Sequence, residues 1–383
     1  LRGNAMKNFQ AGRYIQQGHY KSFQPDPVNR SWTLDNMELV QLLGQADREL
    51  GRLDMYSDYI PNIDLFIRMH VLKEATQSSR IEGTQTNMEE ALLEKEDVAL
   101  DKRDDWEEVQ NYIAAMNEAI EKLQSLPFSA RLMRETHKTL LQGVRGKHKQ
   151  PGEFRQSQNW IGGATINDAV FVPPVHTSID ALIGDIEQFV HNDRQFFPEL
   201  LKIALVHYQF ETIHPFLDGN GRIGRMLIST LLCHWGITRL PIIHLGEYFK
   251  SNRQEYMERL LQVSKTGDFD GWFLFFLKGV EAQAINALSL WNKITFLKEE
   301  ILSKFKSDPK VHTTSSLRSC IDYIAYNPFF TVNDIAGETG VEKQTVNNII
   351  DKMVQKMIVN MAGKRGKAHV YVCNKTRGIL SNG

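Results

Sequence analysis

Twelve residues, His214 to Arg225 (HPFLDGNGRIGR), hold most of the chemically useful groups of this chain. A histidine titrates near neutral pH and can take a proton from an attacking hydroxyl. Asp218 supplies a hard oxygen, and one carboxylate beside a bound polyphosphate is a common way to hold Mg²⁺. Gly219, Asn220 and Gly221 permit backbone conformations that other residues resist and let an anion approach peptide N–H groups. Arg222 and Arg225, three apart, share a helix face, and their guanidinium forks match phosphate oxygens bidentately. Base, metal ligand and anion cradle together point to the handling of a polyphosphate.

The flanking elements are suited to positioning these groups. Upstream, Leu201 to Ile213 (LKIALVHYQFETI) places Ile203, Leu205 or Val206, Phe210 and Ile213 at helical intervals, which predicts a helix with one buried face. Pro215 pushes the residue before it out of the α region, so His214 belongs at the lip of a loop. Downstream, Ile223 to Trp235 (IGRMLISTLLCHW) predicts a strongly apolar second helix whose free N–H groups and positive dipole end face the glycines. That is an anion site. Singly, an HP dipeptide or an NG pair is an ordinary cap or turn; their conjunction in one short stretch is what argues for function.

The stretch also matches, without departure, the signature HxFx(D/E)GNGRxxR of the Fic domain, and the chain resembles that family of protein adenylyltransferases. The resemblance implies a loop that binds ATP and Mg²⁺ and moves AMP onto a hydroxyl of a target protein. By position, His214 becomes the general base, Asp218 the metal ligand and Gly219, Asn220 and Gly221 the anion cradle. Arg222 and Arg225 hold the outer phosphates, and Phe216 is a buried anchor. Ser78 and Glu82, with Gly83, match the (S/T)xxxE(G/N) inhibitory motif, in which the glutamate pairs with the second signature arginine, here Arg225. A carboxylate there takes the place of the γ-phosphate. In some members the same glutamate instead positions water for AMP removal, and the sequence leaves both uses open.

Between Gly143 and Pro174 the texture turns glycine-rich, with β-prone runs at Asn159–Ile161 and Ala169–Val172 that signal a hairpin. It resembles the Fic flap, which pairs by backbone with an extended segment of the target. Ile161, Gly162 and Gly163 would then cover the nucleotide. Tyr248, Asn252 and Tyr256 are weaker candidates for contacting adenine.

At 383 residues, with 42% hydrophobic and 24% charged positions and a net charge of −1, the chain has the size for two or three domains, and its charge names no partner. No run of eighteen apolar residues and no signal-peptide pattern is seen, and the three cysteines lie far apart, so a cytoplasmic protein without membrane contact is expected. There is no GxxxxGK[ST] and no HExxH to compete for the assignment.

The expected fold is mainly α: a Fic-type helical core with a β-hairpin flap and a small C-terminal winged helix-turn-helix unit. The boundaries read as 1–110, an N-terminal helical region with the inhibitory helix; 111–283, the catalytic core; 284–312, a long amphipathic helix and a linker over 306–314; and 313–383, the winged unit. From Glu342 to Arg377, eight basic residues stand against two acidic ones, with Gln344, Thr345 and Asn348 as groove-facing candidates, so DNA is a candidate partner. Any of the helices can carry a self-associating face, which leaves a homodimer open. Two function classes remain: an autoinhibited adenylyltransferase, with AMP removal as its rival, and a DNA-binding regulator whose helical part senses nucleotide.

Overall fold

The computed structural model describes residues 10–57, 63–93, 95–143, 147–194, 196–306 and 314–382. Most of the linker expected over 306–314 lies outside the described residues. The chain opens with an antiparallel hairpin, β1 (Gly12–Gln17) and β2 (Tyr20–Pro25). This hairpin precedes the helices expected for the N-terminal helical region. The pattern was concealed because most of β1 is solvated and leaves no apolar alternation to read. Phe23 at its inner edge is fully buried, and its N–H donates to Val172 O, which ties the hairpin to the flap.

The helices that follow are α1 (Met37–Ser57), α2 (Ile63–Ile81), the short α3 (Met88–Ala91), α4 (Arg103–Lys122) and α5 (Ala130–Leu140). After the glycine-rich stretch come α6 (Ile179–Val190), α7 (Glu199–Ile213), α8 (Asn220–His234), α9 (Gly246–Ser251) and α10 (Arg253–Thr266). The 38-residue α11 (Phe269–Lys306) closes the helical body. At 1.5 Å per residue it is about 57 Å long.

Helix α7 is the centre of the molecule. The sequence suggests one buried face, but every side chain from Leu200 to Ile213 except Glu211 is buried. A helix that is apolar on every side is a core helix. Trp272 of α11, itself fully buried, donates its indole N–H to Ala204 O of α7 at 2.9 Å. Alone among the described helices, α11 is long and apolar enough to cross a membrane by length and composition, yet more than half of that stretch is buried inside the protein.

The boundaries drawn at 110 and at 283 both fall within unbroken helices, α4 and α11. No breaker interrupts either one, because the apolar spacing carries straight through. The first part of α11 packs in the main core, while Leu297, Ile301, Leu302 and Phe305 belong to a second core. That second core is completed by α12 (Ser315–Tyr326), β3 (Phe329–Phe330), α13 (Val332–Thr339), α14 (Lys343–Gln355), β5 (Ala368–Val372) and α15 (Asn374–Asn382), while β4 (Asn360–Arg365) lies outside it and is mostly exposed. Its small sheet is antiparallel in the order β3-β5-β4. Tyr326 of α12 meets Phe66 of α2 edge-on, Arg365 bonds Asp97 at 3.0 Å, and Arg377 and Arg68 pair with Glu89 and Glu338.

Candidate active site

The site forms where α7 ends and α8 begins. His214 caps α7 in the left-handed region, φ 49° and ψ 59°, which few non-glycine residues adopt. Its ring Nδ1 lies 3.2 Å from Glu211 O. A carbonyl only accepts, so Nδ1 carries the hydrogen and Nε2 keeps the lone pair of a base. Burial, with the positive charge of Arg155 adding to it, pushes the imidazole down to about 4, so it is neutral at physiological pH.

The loop is locked from within and from behind. Asn220 accepts the Phe216 N–H at 2.8 Å and donates back to Phe216 O at 2.9 Å. Phe216 is fully buried and stacks on His137, 3.7 Å between ring centres and 8° from parallel. His137 accepts the Gly152 N–H at Nδ1 and so donates from Nε2 to Asp218 O at 3.0 Å. Gly219, φ 76°, turns the chain into α8, and Asp218 Oδ1 takes its N–H at 2.6 Å.

Arg222 is 6% exposed and lies 3.6 Å from both Asp218 Oδ1 and Glu108 Oε2. Its Nε and Nη1 are buried with no hydrogen-bond acceptor among the described residues. Buried donors in that state mark a place for an anion. Arg225, 2% exposed, is by contrast engaged at Nε and Nη2: Nε donates to Ser78 Oγ at 2.7 Å, and Nη2 donates to Ser78 O at 3.0 Å and to Glu82 Oε1 at 2.6 Å. Glu82 stands just beyond the end of α2, where Gly83 (φ 103°) breaks the helix, and its side chain keeps 41% exposure. A Cβ added to Gly221 would lie 2.3 Å from Glu82 Oε1, so this carboxylate rests against the mouth of α8. Burial raises its pKa, but the charge and hydrogen bond of Arg225 and the charge of Arg222 outweigh that and hold it below the ordinary glutamate value.

Over the loop runs the stretch from Gln158 to Pro174. The hairpin expected there closes through a single antiparallel bridge, Ile161 with Phe171, around a 3₁₀ turn at Ile166–Asp168. Gly162 and Gly163 are left-handed, φ 68° and 76°, and a Cβ on Gly163 would meet Asp168 O at 2.5 Å. Both glycines are therefore required by the turn itself.

A family model described as Fic/DOC family N-terminal matches residues 40–121, and one described as Fic/DOC family matches residues 127–232, which include the whole loop. The chain carries both domains of the Fic/DOC family.

Protein adenylyltransferase Fic of Aedes aegypti is 36% identical over 118 residues, 30% of this chain and 21% of that protein. Its counterpart in Drosophila grimshawi is 28% identical over 211 residues, 54% of this chain and 39% of that one. The chain thus spans between a fifth and two fifths of the length of these curated relatives. A crystal structure of a Fic family protein from Desulfovibrio desulfuricans G20 shares the fold, with a TM-score of 0.59 and 19% identity over 90% of this chain and 98% of that one.

In this Fic/DOC chain, the structure brings together His214, Asp218, Gly219, Gly221, Arg222, Arg225, Ser78 and Glu82. Asn220 lies in the same loop, but its side chain serves the loop and leaves only its main chain to a ligand. Of the adenine candidates, Tyr256 is buried, bonded to His207 and stacked on Phe249, and Asn252 caps its own helix by donating to Tyr248 O. Both are structural.

Sequence reasoning passed over Arg155, Asn159, His137, Glu108 and Glu211. Arg155 is 2% exposed and donates to four main-chain carbonyls. Glu211 is pushed up to about 8 by burial, against the pull of Arg225. Glu211 stands out only as a charge within a mostly apolar helix, and Arg155, between Phe154 and the polar run Gln156 to Gln158, carries no such signal.

Proposed function

We propose that this Fic/DOC protein is an autoinhibited adenylyltransferase that moves AMP from ATP to a hydroxyl side chain of a target protein and of itself. His214 Nε2 takes the hydroxyl proton, the oxygen bonds to the α-phosphorus, and the α–β bridging bond breaks to release pyrophosphate. The observation that carries this reading is Arg222, whose buried nitrogens lack acceptors beside the start of α8 and a neutral His214. The cradle should stabilise charge without reorganising, while the flap positions the nucleophile. Asp218 fits Mg²⁺: one oxygen is occupied by the Gly219 N–H, the side chain is half exposed, and it lies 3.6 Å from the Arg222 guanidinium. A bound Mg²⁺ would neutralise phosphate charge there.

Glu82 on Arg225 supports restraint in cis, because the guanidinium that would hold a terminal phosphate is already occupied. Its half-exposed carboxylate also favours a second reading, positioning of water for AMP removal by the intact protein. The decisive experiment uses α-³²P-ATP and Mg²⁺ with the intact chain, Glu82→Gly, and Glu82→Gly with His214→Ala, following label on the protein and on lysate. Strong labelling by Glu82→Gly alone supports transfer, restraint and the base together. No label from any form sinks transfer and leaves AMP removal to be assayed on a modified substrate.

For the C-terminal unit we infer a nucleic-acid contact. Lys343, Gln344, Asn347, Asn348 and Lys352 stand exposed on α14, and Lys364 and Lys367 on the wing. A mobility-shift assay whose binding weakens steeply with salt would support it; binding absent at low salt removes it.

A further inference from the structure

Arg155 is the most heavily bonded side chain near the loop, yet none of its bonds goes to a group assigned to the nucleotide. Its Nε donates to His214 O at 2.9 Å and its Nη2 to Ile213 O at 3.3 Å, the carbonyls at the end of α7. The same Nη2 donates to Pro174 O at 2.6 Å and Nη1 to Ser157 O at 2.9 Å, the two ends of the flap segment. Its own N–H donates to Pro215 O at 2.8 Å. Asn159, inside the flap, adds bonds from its amide to His214 O at 3.2 Å and Phe216 O at 3.1 Å.

Five of these contacts hold main chain between Ile213 and Phe216, on both sides of His214, and the other two hold the ends of the flap segment. A left-handed conformation is unfavourable for histidine and persists only where its surroundings over-determine it. Here a cation and an amide fix the carbonyls of a helix end, the group for which a positive charge is best suited. If His214 relaxed toward the right-handed region, its ring would leave Glu211 O, and Nδ1–H would no longer be specified.

We propose that Arg155 and Asn159 form a clamp that sets the backbone and tautomer of His214 and ties that setting to the base of the flap, so that the segment expected to receive the target and the base share one frame. Both are positioning residues. The inference rests on the reading of His214 as the base of AMP transfer. The guanidinium matters for its fork as well as its charge, because a lysine supplies the charge but cannot reach carbonyls on two chain segments in one plane.

The test compares Arg155→Lys and Asn159→Ala, each made in the full-length Glu82→Gly protein. Self-labelling from α-³²P-ATP gives the rate, calorimetry with ADP and Mg²⁺ gives nucleotide affinity, and ¹⁵N spectra of the histidine rings, with His214→Gln for assignment, give the tautomer. The clamp requires labelling to fall tenfold or more with the ADP Kd within twofold, and the His214 ring to change from Nδ1–H to a mixture. Rates within twofold and an unchanged tautomer overturn it. So does a loss of ADP affinity equal to the loss of rate, which would make these residues nucleotide ligands. If Arg155→Lys does not fold, Asn159→Ala, which deletes only two bonds, decides alone. Should the Glu82→Gly parent transfer nothing, AMP transfer fails as a reading, and the ring spectra still decide the clamp.

Discussion

Removing the Glu82 carboxylate is the most informative single perturbation. Its Oε1 takes a 2.6 Å charge-assisted bond from an arginine that is 2% exposed, while its own side chain is 41% exposed. Such a bond is worth about 1.5–3 kcal/mol, and the open side of the carboxylate favours the lower half of that range. At 1.4 kcal/mol per factor of ten, roughly 10- to 40-fold in occupancy of the Arg225 site by a terminal phosphate is at stake. Glu82→Gln keeps the shape and a neutral acceptor, so it should recover part of the gain, and Glu82→Gly all of it. Ser78→Ala removes the 2.7 Å bond to Arg225 Nε and should give a smaller release, because the Glu82 contact stays. The assay is the initial rate of labelling from α-³²P-ATP at subsaturating nucleotide, paired with calorimetric ATP affinity. The carboxylate's depressed pKa adds a control: the pair is lost only as pH falls through a value below the ordinary glutamate range, so restraint should be level from pH 6 to 8. Equal ATP affinity and equal labelling in the intact, Glu82→Gln and Glu82→Gly proteins would refute the reasoning.

Arg222→Gln should weaken ATP binding at least tenfold while leaving the melting temperature unchanged or raised, since it removes buried nitrogens without acceptors; a large fall in melting temperature would mean that Arg222 is structural. His137→Phe keeps a ring on Phe216 but loses the bonds to Gly152 N and Asp218 O, and should cost about 2–3 kcal/mol in urea unfolding. The pH dependence of melting follows from opposed groups. His137, His214 and His244 at about 4 and His207 at about 3, all lowered chiefly by burial, contribute stability above pH 6.5 that is lost as pH falls toward those values. Glu74 at about 7 and Glu211 at about 8, raised chiefly by burial, contribute stability that is present below pH 4.5 and lost as pH rises through 7 to 8. These four histidines, with His70 and His234 lowered in the same direction by burial, outweigh the two glutamates between pH 4.5 and 6.5, and the glutamates act above it, so the maximum should lie near pH 6.5. A melting temperature still rising at pH 8.5 contradicts these assignments.

The loop was legible because its chemistry is contiguous. His214, Asp218 and the two arginines lie within one turn and one helix start, so spacing alone fixes which groups are neighbours. The apolar periods of α7, α8 and α11 were equally local, and they gave a mainly helical class with helices on both sides of the loop. Apart from the Glu82–Arg225 pair, which a motif proposed, what depends on distant segments meeting was hidden from the sequence. The β1–β2 hairpin is held by register and by one buried phenylalanine, and Arg155 and His137 find their acceptors far along the chain. Whether Tyr256 faces a ligand or the core is settled by Phe249 and His207 packing on it.

The sequence by itself determined which groups are neighbours, since residue types at helical and turn spacings place a histidine, a glycine-rich turn and two guanidinium forks side by side before any folding. It also proposed Glu82 as the partner of Arg225 from a motif, but the 2.6 Å bond exists only because α2 packs with its end against the start of α8. Tertiary structure alone decided that Arg222 is left with unmet donors, that burial keeps His214 neutral, and that Arg155 ties the stretch over the loop to the main chain at His214. These are consequences of burial and of contacts across long sequence separations, and no local pattern encodes them.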